Sequence, residues 1–112
     1  MQQYLLSVYQ PDGDPPPPGE LEAITSRVLA WESELKDAGS WVFTAGLREV
    51  SAATVLRARG QRVLVTDGPF TEGKEHLGGF TVISVASAAA AREWAGRLAA
   101  ASGLPVEVRQ LR

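Results

Sequence analysis

Two apolar stripes at helical spacing, each set between strand-like runs, limit what this chain can fold into. Leu21, Ile24, Val28, Trp31, Leu35 and Ala38 recur every three or four residues. That spacing predicts a helix from about Glu20 to Ala38 with one apolar face. Glu20 and Glu22 lie near the positive end of its dipole, Lys36 near the other end, and Gly39 is placed as its stop. The near-heptad spacing ends too soon for a coiled coil, so the helix is expected to lie on a sheet. A second stripe, Ala91, Trp94, Ala95 and Leu98, follows Ser87, a good N-cap, and Gly103 ends it.

The runs around these stripes read as strands. They are residues 3–9 (QYLLSVY), 41–47 (WVFTAGL), 80–85 (FTVISV) and 105–111 (PVEVRQL). Two more, 53–58 and 62–67, join through Arg59-Gly60-Gln61 as a hairpin. The order β, α, β, hairpin, β, α, β predicts an α+β fold. It is the ferredoxin-like split β-α-β with an inserted β-hairpin. Two helices cover one face of such a sheet. Yet Leu5, Leu6 and Val8, like Val82, Ile83 and Val85, put apolar groups on both faces. The uncovered face needs a partner, and a second copy would supply it, so a homodimer is expected.

Composition narrows the function. The 112 residues suit a single domain, 1–112. Lys plus Arg total 11 against 13 Asp plus Glu, with no cationic stripe, which argues against nucleic acid as a partner. The absence of cysteine excludes a disulfide framework, a thiolate metal site and a thiol nucleophile, and the single His excludes a multi-histidine cage within the chain. No metal or cofactor is expected. The opening MQQYLLSVYQ is strand-like rather than a signal peptide, and no apolar run approaches the ~20 residues of a membrane helix, so the expected location is the cytoplasm and no membrane is involved. Pro15–Pro18 lack N–H groups and read as a stiff surface connector, favoured over a ligand for proline-recognising modules.

The richest stretch runs from Val65 to Phe80, VTDGPFTEGKEHLGGF. Its Gly68–Lys74 segment fits a phosphate-binding loop in spacing only. Glu75 stands where a Ser or Thr hydroxyl is required, and Gly78-Gly79 discourages the helix that must follow. The reading preferred here is a turn at Asp67-Gly68-Pro69, a long loop, and a hinge at Gly78-Gly79 before the next strand. Long ordered loops carry function more often than short ones. Asp67 and His76 are the candidate catalytic groups, as proton acceptor and general base. Phe70, Lys74 and Glu75 are the candidate ligand-binding residues. Each also has a purely architectural reading: Asp67 capping its turn, Phe70 plugging the core, Lys74 and Glu75 pairing on the surface, His76 solvated.

VTDGPF at 65–70, KE at 74–75 and LGGF at 77–80 resemble the DGPF-type branch of the YCII-related proteins. The likeness extends to the YLLSVY strand, the first helix ending in AG, ATVLRARG in the hairpin, the EWA of 93–95 and the VEVR of 106–109. The resemblance implies a ferredoxin-like fold that dimerises through its sheets as an α+β barrel, with a cleft for a small ligand between sheet and loops. It also brings a His–Asp catalytic pair suggested for YCII-related proteins. That pair is not carried over, because position 76 is His where the branch often has Gln. Gly73 likewise stands where the branch often has Thr. The resemblance further implies an association with extracytoplasmic-function sigma factors. Two functions follow: a small-molecule protein with proton-transfer chemistry, or a non-catalytic regulatory partner of a sigma factor. The first expects a cavity, the second a surface patch at Pro15–Pro18 and the hairpin edge.

Overall fold

Why do two helices and four of the strands assemble while the hairpin does not join them? The computed structural model describes residues 1–70 and 73–112. In chain order the elements are β1 (Gln2–Pro11), α1 (Pro18–Asp37), β2 (Trp41–Gly46), a 3₁₀ turn (Val50–Ala52), β3 (Thr54–Arg59), β4 (Arg62–Asp67), β5 (Glu75–Val85), α2 (Ala88–Ser102) and β6 (Val106–Gln110). One sheet has the order β2-β5-β1-β6, with every pairing antiparallel. This arrangement is compatible with a ferredoxin-like α+β fold, with β3 and β4 inserted as a separate two-stranded ribbon.

The core lies between the sheet and the helices. Tyr4 and Leu6 of β1, Ile83 and Val85 of β5, Trp31 and Leu35 of α1, and Ala91, Ala95 and Leu98 of α2 are all buried. The small alanines of α2 let it lie close, while the large side chains come from α1 and the sheet. Trp31 meets Trp94 edge to face, and its indole Nε1 donates to the Trp94 carbonyl at 3.0 Å. Arg97 pairs with Glu34, and Arg27 donates to the Ala101 carbonyl, so the helices are tied along their length.

The caps follow from the sequence. Ser87 Oγ accepts from the Ala90 N–H at 3.1 Å, and Gly103 at φ 72° closes α2. α1 begins at Pro18, two residues earlier than the stripe predicts. Proline is tolerated there because the first helical N–H has no partner within the helix. The stripe itself is only half used. Trp31 and Leu35 are buried, whereas Leu21 is exposed and Ile24 and Val28 are half-buried. The N-terminal half of α1 stands over an open groove, lined also by Val8, Leu98 and Leu104.

The largest departure from expectation is β5. The sequence reading starts this strand at Phe80, after a glycine hinge; it begins at Glu75 and runs for 11 residues. Gly78 and Gly79 are within the strand. They are sites of close approach rather than a bend. A side chain at Gly79 would press on the Ala45 carbonyl oxygen at 3.1 Å, and one at Gly78 would collide with the Gln10 side chain. The turn at Asp67-Gly68-Pro69 is as expected, with Gly68 at φ 103°. The ribbon also turns as expected. Gly60, at φ 60°, occupies the first central position, where a type II′ hairpin requires glycine.

Candidate functional site

The bulge in β5 sets the chemistry of the site. Val8 faces Gly79, but the next residue, Tyr9, faces Leu77, so Gly78 has no partner in β1. An extra residue in one strand reverses the facing of every side chain beyond it. His76 therefore lies opposite Gln10, and Asp12 is its diagonal neighbour two residues further along. Diagonal pairs on one face are within reach of long side chains. His76 Nε2 and Asp12 Oδ1 are 2.9 Å apart. The backbone holds the carboxylate in place: the Asp12 N–H donates to the Lys74 carbonyl at 2.8 Å.

The His76 side chain is only 11% exposed, while that of Asp12 is 56% exposed. A carboxylate at this distance accepts a hydrogen bond from the Nε2–H of a neutral imidazole. That leaves Nδ1 as the basic nitrogen. His76 forms part of the wall of an open cavity of about 460 Å³. Tyr9, Leu47, Val50, Pro69, Phe70 and Leu77 give it apolar walls, and Arg48, Glu49 and Glu75 supply charge. This size and mixture suit a small organic molecule with a few polar groups. A smaller hollow of about 150 Å³ adjoins it, sharing His76 and Arg48 and lined also by Asp12 and Gln10. Among the described residues, no three His, Asp or Glu side chains gather as a metal site would need.

The sequence-predicted residues part company here. His76, Glu75 and Phe70 line one cavity. Phe70 is 70% exposed, so it is a wall rather than a core plug, and the Arg57 guanidinium stacks over its ring at 5.0 Å. Asp67 ends β4, opposite Thr54, exposed and outside the cavity lining. Lys74 is exposed as well and is also outside that lining; its contribution is the carbonyl that receives Asp12. The phosphate-loop segment includes Thr71 and Glu72, which lie outside the described residues.

Sequence reasoning missed Asp12, Arg48 and Tyr9. Asp12 sits in PDGDPPPPGE, where the prolines drew the reading toward a connector. Two signals pointed to it: an acidic residue at the end of a strand, and the His–Asp pair that the family resemblance brings but that is not carried over to His76. Arg48 and Glu49 follow β2, and their ion pair of 3.7 Å is exposed.

The family model of the YCII-related domain matches residues 1–112. The chain belongs to the YCII-related family. The match covers all the elements described above, the ribbon and the His76–Asp12 pair of this YCII-related chain included. Among curated proteins no relative matches.

Proposed function

We propose that this YCII-related protein, of the DGPF type, binds a small organic molecule in the His76 cavity and moves a proton on it. One observation carries this reading. The only histidine of the chain is held by a carboxylate at 2.9 Å and walls a mostly apolar cavity. In that arrangement His76 is the general base, and Asp12 is the positioning residue that holds the ring and stabilises the imidazolium as it forms. Arg48, at the same wall, would attract an anionic end of the ligand, and the apolar wall would take its body. The least demanding chemistry for such a set is removal of a proton next to a carbonyl, as in an isomerase or lyase. Asp67, outside the cavity lining, has no part in this reading.

Dimerisation belongs to the same proposal. Leu5, Phe43, Phe80 and Val82 share the sheet face away from the helices, and the Phe43 and Phe80 rings touch at 6.1 Å between centroids. The chain exposes 7840 Å², where a monomer of 12.0 kDa would show about 6,000 Å². The excess of roughly 1,800 Å² is what one partner of an obligate homodimer buries. Its radius of gyration, 16.1 Å, also exceeds the ~13 Å of a closed domain of this length.

The test is solvent exchange. A panel of small 2-oxo and 3-oxo acids is incubated with the protein in D₂O, and loss of the C–H signal next to the carbonyl is followed by NMR. Catalysed exchange that falls ~10²–10⁴-fold in His76→Gln supports the proposal. Exchange indifferent to His76→Gln contradicts it. The sigma-factor alternative would use the exposed ribbon and Pro15–Pro18; a complex that survives His76→Gln and is lost on substitution of those surfaces would favour it.

A further inference from the structure

Why is residue 78 a glycine? Its φ is not left-handed, so the backbone does not demand one. Space does. A Cβ there would stand 2.6 Å from Gln10 Cγ and 2.8 Å from Gln10 Oε1, well inside van der Waals contact. The bulge residue left out of the β1 pairing is therefore the bed on which the Gln10 side chain lies.

That seat puts Gln10 beside the base. Gln10 stands directly opposite His76 in the ladder, and residues so paired have Cβ atoms ~4.5–5.5 Å apart on one face. Val8, two residues back on that face, packs against the core, whereas Gln10 is exposed. With His76, Asp12 and Arg48 it lines the hollow of about 150 Å³ that adjoins the larger cavity. Asp12 is engaged by His76, and Arg48 by Glu49. Among the described residues the Gln10 amide hydrogen-bonds to none. Tyr9, one residue earlier, belongs to the other face of β1.

Removing a proton next to a carbonyl leaves negative charge on the carbonyl oxygen. The His76–Asp12 pair takes the proton and gives that oxygen nothing. An N–H donor held at the oxygen stabilises the transition state more than the ground state, and a Gln side chain can supply one. We propose that Gln10 is the oxyanion donor of the His76 site. Its side-chain N–H meets the carbonyl oxygen of a 2-oxo or 3-oxo acid in the small hollow, while the body of the ligand fills the larger cavity. The C–H proton goes to His76 Nδ1, the C–H electron pair forms the C=C bond of the enolate, and the carbonyl π pair moves to the oxygen that Gln10 binds. Return of a proton from His76, after exchange with solvent, restores the oxo acid. Gly78 keeps Gln10 in its seat. This rests on the proton-transfer reading above and deepens it.

The probe is 4-methyl-2-oxopentanoate, a 2-oxo acid with an apolar body, followed by deuterium exchange next to its carbonyl in D₂O. Gln10→Ala should lower kcat for exchange ~10²–10³-fold while KM stays within about threefold. Gln10→Glu, with no N–H to give and a charge facing the enolate, should lose as much or more. Gly78→Ala, which displaces Gln10, should lower kcat by ~10-fold or more and cost nothing further in Gln10→Ala. The His76 Nε2–H signal should persist in every variant, which shows that Asp12 still holds the base. An unchanged kcat in Gln10→Ala, a loss confined to KM, or disappearance of the imidazole signal overturns the donor, and the His76 reading stands if His76→Gln still abolishes exchange. Independent losses from Gly78→Ala and Gln10→Ala overturn the seat. Exchange indifferent to His76→Gln, or none by the wild-type protein, overturns the donor and the reading beneath it.

Discussion

The helix-covered side of the sheet and the β3–β4 ribbon are built from similar residues with opposite results. Both present Leu and Val on strands. In the first, Leu6, Ile83 and Val85 meet Leu35, Trp31 and Leu98 and are buried. In the second, Leu56, Val63 and Val65 meet water. Strand propensity is the same; what differs is a second layer. Burying a Leu or Val side chain is worth ~1.5–3 kcal/mol, so the core holds itself together while the ribbon gains none of that stabilisation. The His76 cavity lies where these two regions join, with Tyr9 and Leu77 from the sheet and Pro69 and Phe70 from the end of the ribbon.

That contrast can be broken from either side. The largest effect is expected in the core. Leu35 is fully buried, and Leu35→Ala should cost ~2–5 kcal/mol and lower the melting temperature at every protein concentration. Trp31→Phe removes the donor to the Trp94 carbonyl and should cost ~1–3 kcal/mol in denaturant unfolding. In the ribbon, Gly60→Ala must hold a left-handed residue at φ 60°, at ~1–2 kcal/mol. Its effect should appear as faster amide exchange in β3 and β4, with β1 and β5 unchanged. Equal loss of protection in both regions would show that ribbon and core unfold as one. The smallest effect is expected at the exposed Arg48–Glu49 pair, where Arg48→Ala should stay within ~0.5 kcal/mol in stability. A change in ligand affinity without a change in melting temperature would place Arg48 at the ligand.

Much of the architecture was legible in the sequence. The helical stripes, Ser87, Gly39, Gly60 and Gly103 all act locally, and local signals survive without tertiary context. The site was legible only in part. His76 was picked out by its chemistry, but its partner stands 64 positions earlier in the chain, in a segment dominated by proline. Their meeting depends on the unpaired Gly78, and two glycines in sequence read equally well as a hinge or as a close approach of strands. The half-used α1 stripe was illegible for a related reason. Periodicity marks the side of a helix that is apolar, not how far the neighbouring layer extends beneath it.

The pairing of His76 with Asp12 is the claim on which the site stands, and NMR of the single imidazole tests it most directly. A ring N–H that is free in water exchanges too fast to be seen, whereas one held by a carboxylate in a shielded position persists. The account predicts one imidazole Nε2–H signal under conditions where the ring is neutral, lost in Asp12→Ala with the backbone spectrum otherwise intact. A proton found on Nδ1, or a signal that persists in Asp12→Ala, would contradict it.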